Sequence, residues 1–237
     1  LAEAGFHEAS SYAMLAEGED VPFLAPDPPP ALRLANPISE TLEVLRRSIL
    51  PGLLRAADLN IRRGTRDVRL FEVGRVFLGQ GPGEFPIESV RLGFAWSGAA
   101  EPRHWSRTPR EVDLFDVIGA VEHLLRDLHP EQERSREAGA QAAFHPGRSL
   151  KWRTPDGVAV AWAGALHPEL QREIDQPVFM AEVDLGRLAP PGGEPRQHEP
   201  VPRLPSVSRD LSLVRRPTSR CPYYFLSVIA GIPFTKK

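Results

Sequence analysis

Apolar residues recur at helical spacing between Asp113 and Leu128, where Leu114, Val117, Ile118, Val121, Leu124, Leu125 and Leu128 share one continuous face. That periodicity predicts the clearest helix in the chain. Asp113 stands at its first turn, where a carboxylate is more simply a cap or a dipole partner than half of an acid pair with Asp116. Upstream, Leu42, Leu45 and Ile49 repeat at similar spacing after Ser39, which is able to cap a run beginning at Glu40. This predicts a first helix that stops or kinks at Pro51. A second helix starts at Pro51, where a missing N–H costs nothing, with Ser48 close by as a candidate cap. It places Leu53, Leu54, Ala57 and Ile61 on one stripe and ends at Gly64.

Period-two patterns predict the strands. Val68–Leu78 is apolar on both parities, which suits a covered central strand, and Gly74 within it marks a bulge or a close backbone approach. Leu92, Phe94 and Trp96 alternate with small or polar residues, as in a half-buried antiparallel strand. Further strands are expected at Glu8–Met14, Ser149–Arg153, Val158–Gly164 and Val178–Leu185, with a Pro155-Asp156-Gly157 turn joining the middle pair. Gly79–Ile87 reads as a turn-rich connector, Ala25–Pro30 as a polyproline-like loop, and the charged segment Glu131–Gly139 as a solvated loop or frayed helix. Antiparallel strands with helices set between them indicate an α+β fold.

Composition narrows the picture. The chain has 237 residues, 41% of them hydrophobic and 25% charged, with a formal net charge of −2. That balance gives no global pull toward nucleic acid or membrane, so any such contact must be a local patch. A single cysteine, Cys221, excludes an internal disulfide framework and a multi-cysteine zinc site, and a reducing cytoplasm is the default location. No apolar run approaches the ~20 residues needed to span a bilayer. The 25 prolines cluster at 22–30, 82–109 and 190–205 and mark connectors. The segment 189–202, with Pro190-Pro191-Gly192-Gly193, has the composition of an interdomain linker.

The blocks Asn36-Pro37-Ile38-Ser39, Leu45–Leu54 and Leu70–Phe77 resemble the catalytic-like module of the bacterial phenylalanyl-tRNA synthetase beta-subunit family. The similarity continues, in the family's order, through Gly5-Phe6-His7-Glu8, Phe115–Gly119, His145-Pro146-Gly147-Arg148, Gly164–Glu169 and Leu204–Asp210. It implies a class II aminoacyl-tRNA synthetase-like antiparallel sheet flanked by helices over residues 1–188. After the linker, residues 203–237 resemble the truncated start of the ferredoxin-like anticodon-binding domain, although Ser219–Lys237 departs from the family pattern. The chain begins with Leu1 and is inside a family motif by Gly5, so it reads as a piece of a longer polypeptide. The family's editing region and magnesium-binding carboxylates precede the matched module.

The resemblance further implies an assembly of two alpha and two beta chains acting on tRNA-Phe in the cytoplasm. Its alpha subunit uses ATP and magnesium to attach phenylalanine. In this chain the positions aligned with the alpha subunit's phosphate-binding arginine and its neighbouring acid are Leu78 and Gln80, and a leucine cannot neutralise a phosphate. Gly164–Glu169, the nearest relative of the glycine-rich third class II motif, lacks its arginine. No catalytic, cofactor or metal residue is therefore assigned. His145 and His167 each precede a proline and, with Glu169, fit no known metal-ligand spacing, so turn histidines are the expectation.

The expected role is structural support of the alpha subunit. The candidate contact is the apolar stripe of Leu42, Leu45, Leu53, Leu54, Ala57 and Ile61, read as an exposed patch, with Arg46 on its basic rim. Arg62, Arg63, Arg66 and Arg209 are the candidates for RNA phosphate, against the plainer reading of a solvated or salt-bridged rim. The alternative function is a free-standing RNA-binding or regulatory module on the same fold.

Overall fold

The computed structural model describes residues 1–188 apart from 82, 103, 130 and 131. The chain divides into two units, Leu1–Gly193 and Glu194–Lys237, and the description concerns the first. The linker and ferredoxin-like expectations, Arg209 and Cys221 lie outside the described residues.

A sheet of seven strands forms the framework. In chain order they are β1 (His7–Glu8), β5 (Val68–Leu78), β6 (Ile87–Ser97), β7 (Ser135–Ala138), β8 (Phe144–Arg153), β9 (Ala159–Leu166) and β10 (Val178–Asp184), arranged β1-β5-β6-β10-β9-β8-β7. Only the β1–β5 pair is parallel. A second sheet holds β2 (Met14–Leu15), β4 (Val44–Leu45) and β3 (Leu32–Arg33) in that order. The helices are α1 (Leu50–Arg62), α2 (Leu114–Leu128) and a short α3 (Pro168–Gln171). The architecture is α+β.

Both faces of the large sheet are covered, and strand alternation sorts the side chains between them. Leu92, Phe94 and Trp96 of β6, with Phe179, Ala181 and Val183 of β10, pack with Val117, Val121 and Leu125 of α2. Ala95 and Met180 point the other way, toward Ile49, Leu50, Leu53, Ala57 and Ile61 around α1. Gly93 lets α1 come this close. A Cβ there would lie 3.0 Å from Leu53 Cδ1 and 3.4 Å from Leu50 Cδ2.

The α2 helix follows its periodicity, with Asp113 as its N-cap. The Asp113 carboxylate accepts from the amides of Phe115 and Asp116, while Asp116 accepts from the Asp113 amide, a reciprocal capping box. The α1 helix carries Pro51 in its first turn and ends just before Gly64, whose amide donates to Ile61 O at 2.9 Å.

Four expectations need correction. The strand expected over Glu8–Met14 does not form, because pairing with β5 ends at Glu8 and Met14 pairs with β4 in the other sheet. No helix forms over residues 40–48. Val44 and Leu45 pair with β2 and β3 instead, and the amides of Glu43 and Arg46 donate to Leu15 O and Ala13 O, so sheet pairing overrides the helical spacing. Residues 135–138, expected as loop or frayed helix, form the edge strand β7. All four are exposed, which left no alternation to read, and pairing with β8 makes the strand. Finally, β5 is covered on one side for only part of its length, because β1 pairs with Leu70 and Phe71 alone. Val73 is 45% exposed.

Candidate subunit interface and buried charge network

The segment from Arg46 to Leu50 descends onto the sheet and brings two arginines with it. Arg46 is 5% exposed. Its Nη1 donates to Glu72 Oε1 at 2.6 Å and to Ser11 Oγ at 3.0 Å, and its Nε donates to Arg75 O at 3.0 Å. It needs the space over Gly74, where a Cβ would strike its guanidinium. Gly74 thus marks a close approach; the pairing of β5 with β6 runs through it without a bulge. Arg47, also 5% exposed, donates Nε and Nη2 to Asp20 at 3.1 and 2.6 Å, and Nη1 to Pro29 O at 2.7 Å. The polyproline-like loop is thereby tied to the core. Arg46 belongs to this buried network and is not part of an exposed basic rim.

A third arginine completes the arrangement. Arg91 of β6 donates Nη1 to Glu182 Oε2 at 2.9 Å and to Arg47 O at 3.1 Å, and its Nη2 lies 3.5 Å from Asp184 Oδ2. Glu182 also accepts from Ser48 Oγ at 2.9 Å and from the Ile49 amide at 2.8 Å. Asp184 accepts from Ser89 Oγ at 2.8 Å and from the Arg187 amide at 3.2 Å. Glu182 and Asp184 are 1% and 0% exposed, so each carboxylate is committed to internal partners. Ions buried this deeply persist only when paired and hydrogen-bonded. Sequence reasoning missed Glu182, Asp184 and Arg91. The available signal was an acid standing inside the apolar run Val178–Val183.

Leu78 lines a cavity of about 220 Å³ with Phe23, Trp162, Arg91, Gln141 and Arg187, and Gln80 Nε2 donates to Phe85 O at 2.8 Å. Among the described residues no group of three or more His, Cys, Asp or Glu side chains converges as a metal site would require. His145 Nδ1 accepts from the Gly147 amide, and His167 Nδ1 from the Glu169 amide.

The apolar stripe of α1 divides between two jobs. Leu53, Ala57 and Ile61 are buried against the sheet, which corrects their reading as an exposed patch. Leu42, Leu45 and Leu54 are half-buried. The outward side of α1 instead bounds a groove of about 730 Å³ lined by Tyr12, Leu42, Gly52, Arg55, Ala56 and Leu59 with Ser10, Ser11 and Thr41. Tyr12 and Leu59, which sequence reasoning did not select, are 68% and 47% exposed there. Among the RNA candidates, Arg62 is held by Asp58 at 2.8 Å and its pKa is raised by that hydrogen bond. Arg63 and Arg66 are exposed at the helix end, without ion-pair partners among the described residues.

A helix-flanked, mostly antiparallel sheet of this kind is shared with a tRNA synthetase of known structure. The pyrrolysyl tRNA synthetase PylSc of Desulfitobacterium hafniense shares the fold, with a TM-score of 0.53 and 15% sequence identity over 78% of this chain and 62% of that one. The family model described as the phenylalanyl tRNA synthetase beta chain CLM domain matches residues 1–185. The chain belongs to that family. The phenylalanine–tRNA ligase beta subunit of Listeria innocua is 33% identical over 215 residues, and that of Novosphingobium aromaticivorans 36% over 222. In both cases the match takes in 90% of this chain but only 27% of the relative, so the chain spans about a quarter of the length of these relatives.

Proposed function

We propose that this chain is the catalytic-like module of a phenylalanine–tRNA ligase beta subunit and that it supports a catalytic alpha subunit without performing chemistry itself. The observation that carries this reading is the commitment of Glu182 and Asp184. Both carboxylates accept hydrogen bonds from Ser48, Ile49, Ser89 and the Arg187 amide and face the Arg91 guanidinium. Glu182 uses both oxygens in hydrogen bonds, and the Asp184 Oδ2 faces the Arg91 and Arg187 guanidiniums, so both charges are balanced inside the fold. A module of this kind contributes surface, and the groove outside α1, where Tyr12 and Leu59 are exposed beside Leu42, is the one we select. We assign it to the alpha subunit because the relatives are named beta subunits.

The wider reading follows from the same membership. The holoenzyme is an assembly of two alpha and two beta chains in the cytoplasm that attaches phenylalanine to tRNA-Phe. ATP and magnesium are bound by alpha, and tRNA is engaged through the assembly. No helix among the described residues is long and apolar enough to cross a membrane.

The test is co-purification with the cognate alpha subunit. Leu59→Asp on the outer side of α1 is expected to abolish the complex, while Phe115→Asp, 79% exposed on the opposite face of the sheet, leaves it intact. A complex that survives Leu59→Asp with unchanged affinity would show that alpha binds elsewhere.

A further inference from the structure

A cavity of about 330 Å³ opens at the end of the sheet where β9 runs into α3 and β10 begins. Its apolar floor is made by Ala165 and Leu166 of β9 with Val178 and Phe179 of β10, and all four are buried. Pro168 and Pro177, both exposed, complete the apolar wall. None of these residues belongs to the groove assigned to the alpha subunit.

The charged lining has one sign. Arg148 of β8 and Arg172, just after α3, reach the cavity beside His145, and no carboxylate lines it. Both arginines are exposed and, among the described residues, without a hydrogen-bond or ion-pair partner. The position of one guanidinium is set by the floor itself, since Arg148 Cζ lies 5.4 Å from the centroid of the Phe179 ring. Stacking of this kind holds the guanidinium by its face and leaves the N–H groups at its edge free to donate. In His145, Nδ1 accepts from the Gly147 amide at 3.1 Å, so the neutral ring carries its proton on Nε2. Gln171, in contrast, is spent within the fold on Ile174 O, Gln176 O and the Val178 amide. Accessible cationic donors therefore stand over an apolar floor with no acid to satisfy them.

We propose that this cavity binds a small organic acid, with Arg148 on the carboxylate, Arg172 as the second cation, and an aromatic or branched aliphatic body against Leu166 and Val178. A guanidinium meets a carboxylate through two parallel N–H···O bonds, which fixes the orientation of the acid as well as its charge. The size of the cavity and its mainly apolar lining with a few polar groups are those of a small-molecule site. The missing carboxylate narrows the class. A free α-amino acid would bring its ammonium beside two arginines with nothing to pair it, so the ligand is an acid without an amine. Phenylalanine, the amino acid of the ligase reading, is thereby disfavoured at this place. A fully polar anion would leave the apolar floor uncovered.

The whole chain is titrated with hydrocinnamate while the methyl resonances of Leu166 and Val178 are followed. Acetate supplies the charge without the body, hydrocinnamyl alcohol the body without the charge, and phenylalanine adds the ammonium. The expected result is a saturable shift with hydrocinnamate and much weaker binding of the other three. Arg148→Gln should lower hydrocinnamate affinity about tenfold or more, the scale of charge-assisted hydrogen bonds, and Arg172→Gln should lower it several-fold. Both variants replace exposed side chains and should keep melting temperatures near that of the parent; if Arg148→Gln disturbs the packing over Phe179, Arg172→Gln alone decides. Methyl resonances that hydrocinnamate does not move, equal affinity for the alcohol or for phenylalanine, or unchanged affinity in the deciding variant overturns the proposal.

Discussion

Glu182, in the middle of β10, accepts a hydrogen bond from the amide of Ile49 at 2.8 Å, 133 residues earlier in the chain. Ile49 is the N-cap position of α1 and supplies no capping side chain of its own. A carboxylate from the sheet therefore closes the helix, where the exposed amides and the macrodipole favour negative charge. Arg91 balances that charge from β6. Helix α1, strand β6 and strand β10 are locked by one group.

Removing that group should be expensive. Glu182→Ala strands Arg91 without its main partner in a buried site, and a cost of about 3–5 kcal/mol is expected. Glu182→Gln keeps the shape and part of the hydrogen bonding, so about 1–3 kcal/mol is expected. Urea unfolding followed by circular dichroism measures both; equal stability of all three proteins would contradict the capping role.

The two faces of the sheet predict opposite outcomes for two glycines. Gly93→Ala forces a methyl to within 3.0 Å of Leu53 and should destabilise the fold by about 1–3 kcal/mol through overpacking. Gly119 sits in α2 with open space around it, so Gly119→Ala should stabilise by roughly 0.5–1 kcal/mol. Thermal melts of the two variants should move in opposite directions.

A pH dependence is expected at the start of α2. The Arg110 guanidinium donates to both Asp116 oxygens, at 2.7 and 2.6 Å, and holds the carboxyl below its usual pKa; the Asp113 amide adds to the effect. A depressed folded-state pKa means that the stabilisation is present above the ordinary carboxylate range and is lost as pH falls through the lowered value. Asp116→Asn should therefore cost about 1 kcal/mol near neutrality, the usual scale of a helix cap. The difference from the parent should shrink in acid, which melts taken across that range would show.

Along α1 the two leucines Leu53 and Leu59 separate folding from assembly. Leu53 is fully buried against the sheet, and Leu53→Asp places an unpaired carboxylate there. The expected loss exceeds about 4 kcal/mol, enough to unfold a marginal domain. Leu59→Asp lies in the outer groove and should change stability by no more than about 0.5 kcal/mol. Circular dichroism of each variant before any binding assay checks this. It also shows why Leu53→Asp is unsuitable as an interface probe.

The local pattern was legible wherever one residue's neighbours in sequence are also its neighbours in space. The α2 helix with its Asp113 cap, the Pro51 start and Gly64 end of α1, and the turn at Pro155–Gly157 are of this kind. Leu92, Phe94 and Trp96 predicted the strand β6 but only a half-buried one, whereas Arg91–Ser97 is buried on both faces because α1 covers the side of small and polar residues. In contrast, Leu42, Leu45 and Ile49 have helical spacing but share no helix: Leu45 enters a small sheet, where the carbonyls of Leu15 and Ala13 take the amides of Glu43 and Arg46, and Ile49 stands at the N-cap of α1. Strand β7 has no apolar alternation at all and exists only by pairing with β8.

The candidate site divides along the same line. By itself, the sequence determined the α+β class, the family through motifs spread along the chain, and the amphipathic character of α1, because these depend on periodicity and order. Which face of α1 is left outside was decided by the tertiary structure. The same stripe that looked available is spent on the sheet through Leu53, Ala57 and Ile61, and the groove is built from Tyr12, Leu42 and Leu59, which converge from separate segments. Arg46 could not be told from a surface arginine until Glu72 and Ser11 were placed beside it. A charge declares its role through its partner, and partners tens to more than a hundred residues apart in the chain meet only in the folded sheet.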